Sequence, residues 1–338
     1  MDIPFCTPSI WLNIIIFIIG SYILIKGSDI FVDAAAAIAR SWHVSELIIG
    51  LTLVSIGTSL PELATSLLAQ AFGDSDFVIG NIAGSNVTNI TLILGAAIAV
   101  GGAMPFEKKL YSRDSLMMNV LFFVVVAVFL LPPKVQGHSG EVYGLGIISG
   151  LLLLTGAFIY SWWLFRNGGE TEEMGDADGK NHSVLKDFAL LFLGLVMIVL
   201  GSKGMVDTVQ KGAADLGIST IIISATIVAF GTSVPELAVT IAGVLKGKND
   251  MAIGNIVGSC IYNILLIFGA SALINPLGIN SGATGVWNLA LMIPAGLILL
   301  VTMALCSKKL VIPRYAGFLM LAAYTAFLAF NVWKGFQG

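Results

Sequence analysis

Charge is what this chain has least of. Asp, Glu, Lys and Arg make up 11% of its 338 residues, whereas a soluble domain carries about 25%. The shortage runs along the whole length, which excludes an attached soluble domain of any size. Histidine and cysteine are scarce too, at three each. Cys6, Cys260 and Cys306 are an odd number without metal-ligand spacing, and the last two lie in apolar stretches where a thiol acts as a small hydrophobe. No disulfide framework is expected. His43, His138 and His182 fall in predicted loops, and no nucleophile–histidine pair, histidine metal cluster or phosphate loop occurs at usable spacing. The chain is therefore not read as an enzyme, and no cofactor is expected. Nothing resembles a basic stripe or an aromatic nucleic-acid platform, so nucleic acid is excluded as a partner. A net charge of −3 decides nothing further.

What is present is apolar. Hydrophobic residues make up 57% of the chain, and its 38 glycines suit closely packed membrane helices. The first apolar run, Ile10 to Ile25, lacks a basic leader and is too long for a signal core, so it reads as the start of a first helix. A hydrocarbon core of about 30 Å takes roughly 20 helical residues to cross. By that measure the chain holds about ten spans, near 10–37, 46–72, 78–101, 115–132, 142–165, 185–212, 219–245, 252–274, 286–306 and 314–333. Residues 166–183, polar, acidic and glycine-rich, separate the fifth from the sixth. The expected organisation is a first repeat over 1–165, this acidic loop, and a second repeat over 184–338.

Basic residues collect on the cytoplasmic side of membrane proteins. With the N-terminus outside, 12 of the 17 Lys and Arg fall in cytoplasmic loops, and the opposite orientation inverts the ratio. Both termini are thus expected outside, the acidic loop inside, and the protein in the plasma (inner) membrane. The bilayer is its expected surroundings, and a monomer its expected state.

An internal repeat organises the rest. TLVSIGTSLPELATSL (52–67) aligns with TIVAFGTSVPELAVTI (226–241), and GNIAGSNVTNITLILG (80–95) with GNIVGSCIYNILLIFG (254–269). One offset of 174 residues serves both pairs, with 22 of 46 positions identical between 50–95 and 224–269. Apolar helices match by chance at Leu and Val, not at Gly, Thr, Ser, Pro, Glu and Asn in order. Five spans per half is an odd number, so the second copy enters the membrane in the opposite direction. The fold class expected is an all-α membrane protein: about ten transmembrane helices in two inverted five-helix repeats, with helices 2 and 7 broken.

The repeated polar residues carry the chemistry. Glu62 and Glu236 lie near the middle of their spans, where a carboxylate costs several kcal/mol unless it meets protein, water or an ion. A hydrogen bond between helices would explain one such residue; two within one duplicated motif ask for more. Thr58 and Ser59 precede Glu62 by four and three residues and so share its helix face, as Thr232 and Ser233 share that of Glu236. Pro61 and Pro235 each remove a backbone donor, so carbonyls between Ser55 and Gly57, and between Ala229 and Gly231, should lack helical partners. A simple proline kink explains the bend but not the carboxylates. In the second block Ser85 and Asn89 share a face, as do Ser259 and Asn263. Gly80, Gly84, Gly254 and Gly258 read as packing positions, while Asn81 and Asn255 are open between capping and supporting the site. An all-oxygen donor set favours Ca²⁺, Mg²⁺ or Na⁺ over zinc or copper. Lys26, Asp29, Asp33, Lys203 and Asp207 lie toward the ends of spans 1 and 6, where snorkelling or pairing at the interface competes with a role in gating.

At these residues the sequence resembles the calcium/cation antiporter superfamily, whose paired alpha repeats look like GTSLPE and GTSVPE with GNIAGSNVTN and GNIVGSCIYN. The look is nearest to the bacterial inner-membrane sodium/calcium exchanger branch. The resemblance implies that Glu62 and Glu236 ligate Ca²⁺, with Thr58, Ser59, Thr232, Ser233, Ser85, Asn89, Ser259 and Asn263 completing Na⁺ and Ca²⁺ sites. It implies carbonyl ligands at Ser55 and Ala229, and sliding of spans 1 and 6 against the other eight. Two positions depart from the pattern. Asn263 stands where many relatives carry Asp, which argues against K⁺ dependence, and Cys260 stands where symmetry with Asn86 asks for Asn. The function expected is antiport of Na⁺ against Ca²⁺ by alternating access; the alternatives are a proton-coupled cation antiporter and, less favoured, a channel.

Overall fold

The computed structural model describes residues 9–130, 134–137, 140–167, 184–215, 229–279 and 282–335. Helix α1 is Ile10–Trp42. Helix α2 is in two pieces, Glu46–Thr58 and Leu60–Ala71, bent by 46°. Helices α3 (Ser75–Gly101), α4 (Leu110–Leu130) and α5 (Ile147–Asn167) complete the first half. The second half holds α6 (Val184–Asp215), α7 in two pieces (Ala229–Thr232 and Val234–Leu245), α8 (Asn249–Ile274), α9 (Gly282–Leu305) and α10 (Arg314–Gly335). Among the described residues seven helices are long and apolar enough to cross a membrane singly, and the bent α2 makes eight.

The sequence-based limits need three main corrections, the first being that helix α1 runs on to Trp42 rather than ending at 37. The fourth helix starts at Leu110 rather than 115. The fifth starts at Ile147 rather than 142, because Gly140–Leu145 is a strand, β3. It pairs antiparallel with β2 (Lys134–Gly137), and its last two residues pair with β4 (Leu277–Gly278). Likewise β1 (Met104–Pro105) pairs with β5 (Val311–Ile312), Met104 opposite Ile312. Connections this short satisfy their backbone groups by pairing across halves. The acidic loop from 168, residues 219–228 of the seventh span, and Cys6, His138 and His182 lie outside the described residues.

Burial separates centre from rim. The most apolar 18-residue windows of α3 and α8 are 78% and 83% buried, against 22% for those of α1 and α5. So α3 and α8 form the middle of the molecule, and α1 and α5 present apolar side chains to lipid.

Helices α1 and α6, mates under the 174-residue offset, pack antiparallel along a glycine seam. A Cβ on Gly20 would stand 3.0 Å from the Gly201 carbonyl, and one on Gly27 3.0 Å from that of Gly194. Gly194 and Gly201 are themselves the offset mates of Gly20 and Gly27. Equivalent helices of the two halves thus run in opposite directions, which is the inversion that five spans per half requires. Small residues let two backbones approach this closely in lipid. The same device sets α8 on α2: a Cβ at Gly258 would meet the Leu51 carbonyl at 2.6 Å.

The buried apolar side chains fall into two clusters. One joins α3, α4, α5, α8, α9 and α10, with Phe122, Phe268 and Met292 at its heart. The other is built by Phe31, Ile38 and Ile198 of α1 and α6 against Ile49, Val54, Val234 and Val239 of the broken helices. The α1–α6 pair therefore has a core of its own, meeting the remainder through α2 and α7.

Candidate cation site

Both broken helices break at the serine of the repeated motif. Ser59 has φ −84° and ψ 7°, Ser233 φ −90° and ψ 4°, and each stands as N-cap of the piece that follows, with proline in its first turn. The cause is local: a proline lacks the N–H that the carbonyl four residues back would accept. Glu62 and Glu236 then occupy the third position of a helix, at the N-terminal end where unpaired N–H groups favour negative charge.

The carbonyl of Ser55 does not behave as the sequence suggests. It accepts the Ser59 N–H at 3.1 Å and lies 3.3 Å from Thr58 Oγ1. The bond survives because the helix departs only at Ser59; the carbonyl four residues before Pro61 is that of Gly57, and a backbone N–H at the break reaches it too. Ala229 lies at the start of the described part of α7.

The two motifs meet. Glu62 and Glu236 are both buried, at 1% exposure. Ser59 Oγ donates to Glu236 Oε1 at 3.1 Å, and Ser233 Oγ donates to Glu62 Oε1 at 3.4 Å. Each serine thus serves the carboxylate of the opposite half. Thr58 faces Glu236 and Thr232 faces Glu62 in the same crossed fashion, and the carboxylates feel one another electrostatically. Ser85 joins them, its Oγ 3.4 Å from that of Ser233.

The central helices widen where they enter this pocket. A π-helical turn begins at Asn89 in α3 and another at Asn263 in α8. Such turns interrupt the α ladder and turn side chains out of the ordinary helical rows. Ser85, Asn89, Ser259 and Asn263 are all buried.

Several buried polar atoms here have no hydrogen-bond partner: Glu62 Oε2, Glu236 Oε2, Asn263 Oδ1, Ser259 Oγ and both amide atoms of Asn89. A buried polar group left unpaired costs about 1–3 kcal/mol, and more if charged. Mostly acceptors, they are atoms that could hold a cation. Among the described residues no three His, Cys, Asp or Glu side chains converge. Such a donor set would be two carboxylates amid neutral oxygens, which are hard donors.

Sequence reasoning leaves Asn81 and Asn255 open, and both bond to the broken helices, Asn255 at the candidate site residue Thr58. Neither caps a helix; they lie within α3 and α8. Asn255 Oδ1 accepts from Thr58 at 3.1 Å while its Nδ2 donates to Thr240 at 3.0 Å, holding α2 and α7 together. Asn81 donates to Ser66, the offset mate of Thr240, at 3.4 Å. The charged residues near the helix ends are paired: Lys203 with Asp207 at 3.1 Å, and Asp33 with Lys246 at 2.6 Å. Cys260 and Cys306 are free thiols.

Known proteins resemble this chain in sequence and fold. The model of the sodium/calcium exchanger protein family matches residues 12–166 and 186–333. The sodium/calcium exchanger MaX1 of Methanosarcina acetivorans is 35% identical over 94% of this chain and 98% of its own. The inner membrane protein YrbG of Escherichia coli is 35% identical over 77% of this chain and 79% of its own. Among solved structures, the sodium-calcium exchanger NCX_Mj superposes with a TM-score of 0.78 at 33% identity, over 95% of this chain and 99% of that one. With a duplicated motif, an inverted fold and a family match over both halves, the chain belongs to the sodium/calcium exchanger family of multi-pass membrane transporters.

Proposed function

We propose that the protein is a secondary active antiporter exchanging Na⁺ for Ca²⁺ across the inner membrane, independent of K⁺. The observation that carries this is the crossed pairing of Ser59 with Glu236 and Ser233 with Glu62, with one oxygen of each carboxylate left unpaired. Two carboxylates neutralise one divalent ion. Emptied of it, two buried charges repel, and Na⁺ ions shared among the same oxygens can take its place. Glu62, Glu236, Thr58, Ser59, Thr232, Ser233, Ser85, Asn89, Ser259 and Asn263 are the proposed ligands, with carbonyls at Ser55 and Ala229. The carbonyl of Ser55 has a second lone pair for this, one being engaged by the Ser59 N–H.

Asn263 supplies a neutral oxygen where an aspartate would add a third charge, which leaves no excess negative charge to attract K⁺ beside Ca²⁺. The separate core of α1 and α6 supports their sliding as one body across α2 and α7, exposing the pocket to each side in turn. Both termini lie outside and residues 166–183 inside, the placement that the distribution of Lys and Arg favours.

Everted vesicles loaded with Na⁺ should accumulate ⁴⁵Ca²⁺, with no requirement for K⁺. Glu62→Gln and Glu236→Gln should each reduce this uptake by at least about 100-fold, since losing one member of a buried charged cluster costs about 3–5 kcal/mol. Uptake driven by a pH gradient in Na⁺-free medium would replace this reading with proton coupling, and uptake unchanged in both variants would remove the site assignment.

A further inference from the structure

Among the places where the two halves of the pocket differ is the pair Asn86 and Cys260, and here the asparagine decides which amide atom Asn263 presents. In α3, Asn86 Nδ2 donates to Met292 Sδ at 3.3 Å, and Asn86 Oδ1 accepts from Asn263 Nδ2 at 2.9 Å. All three side chains are buried. A thioether sulfur accepts hydrogen bonds and never donates them. Met292 therefore fixes which end of the Asn86 amide faces it, and the other end, an acceptor, must face Asn263. That in turn requires Asn263 to present its NH₂ to Asn86 and to keep its oxygen on the far side. This oxygen is one of the unpaired acceptors.

The other half carries a thiol where the relay has its asparagine. Cys260 occupies the place of the amide, its thiol against Asn89 and donating weakly to the Asn86 carbonyl at 3.8 Å. Met118 is the offset mate of Met292 and is equally buried. The asparagine is what that half lacks.

We infer that Met292 and Asn86 are positioning residues which lock Asn263 as an oxygen donor to the transported cation. The pocket then has a neutral ligand of fixed direction, which suits an ion of set radius. This inference rests on the antiport reading proposed above.

The test uses the whole protein in proteoliposomes, reading KM for Ca²⁺ and Vmax from Na⁺-driven ⁴⁵Ca²⁺ uptake. Thermal stabilisation by Ca²⁺ in detergent gives a second, transport-free measure. Met292→Leu should raise KM and the Ca²⁺ half-point about 3- to 10-fold, the worth of one neutral hydrogen bond, at nearly constant Vmax. Met118→Leu, of the same shape change in the other half, should alter neither. Should Met292→Leu behave like Met118→Leu, or reduce Vmax alone, the relay does not orient Asn263 and the inference falls by itself. A wild-type protein that neither takes up nor is stabilised by Ca²⁺ overturns the antiport reading, and the inference with it.

Discussion

Ser59 reaches Glu236 and Ser233 reaches Glu62, so the centre of the molecule matches across its halves; 174 residues beyond Phe72 and Asp74, however, stand Lys246 and Lys248, and there the match fails. Lys246 holds Asp33 of α1 at 2.6 Å and the Asp29 carbonyl at 3.0 Å, while Lys248 pairs with Glu46 at the start of α2. At the mirrored end Phe72 is 86% exposed, and Asp74 merely caps α3 by accepting the Phe77 N–H. Asp207, the mate of Asp33, pairs with Lys203 inside its own helix. The motif residues Ser59, Glu62, Ser233 and Glu236 match between the copies, and each answers to a partner from the other copy. Residues at the ends answer to water and headgroups, where one polar arrangement replaces another at little cost.

If the centre is matched, equivalent changes along the α1–α6 seam should hurt equally. A Cβ at Gly27 would sit 2.7 Å from Met197 Cβ, and one at Gly194 2.8 Å from the Phe31 amide nitrogen. Gly27→Val and Gly194→Val should each destabilise the protein by about 1–3 kcal/mol, the usual cost of overpacking. Melting in detergent checks this. A large loss from one and none from the other would mean that the seam is not shared symmetrically.

Next in size are the asparagines behind the motifs, and here the comparison sharpens. Asn255 makes bonds of 3.0 and 3.1 Å to Thr240 and Thr58, whereas the Asn81 bond to Ser66 is 3.4 Å. Groups that orient ligands cost about 10- to 100-fold in affinity when lost. Asn255→Ala should therefore weaken Ca²⁺ stabilisation by about 10-fold and Asn81→Ala by less. The reverse order would show that the crossed contact to Thr58 carries no weight.

Much of this was legible in the sequence, and the reasons differ by residue. Glu62 and Glu236 stood out because a carboxylate inside an apolar span is costly and a duplicated one is not an accident. The breaks at Ser59 and Ser233 followed from Pro61 and Pro235. Strands β1 and β5 were invisible, since two-residue pairings carry no periodicity. The Ser55 carbonyl was read as stranded because the sequence locates a proline but not the residue at which φ and ψ depart from the helix. Asn86 was visible only as a broken symmetry with Cys260. Its meaning needed Met292, 206 positions away and indistinguishable in sequence from any other methionine of an apolar helix.

The smallest expected effect tests the ends. Lys246 keeps 25% of its side chain exposed and Asp33 69%, so solvent screens the pair and its worth is about 0.2–1 kcal/mol. Lys246→Met should leave the melting temperature nearly unchanged but loosen the end of α1 that the lysine holds. Amide hydrogen exchange near Asp33 should then quicken by about 2- to 5-fold. Exchange near Asp207, paired within α6, should not move. Ionic strength supplies the control: raising an inert salt from 0.1 to 1 M shortens the screening length from about 10 to about 3 Å. Salt should quicken exchange at Asp33 in the wild type and do nothing further in Lys246→Met. If salt and substitution added instead of replacing one another, the lysine would be acting through its packing along α1, and the contrast between the two ends would be one of shape rather than charge.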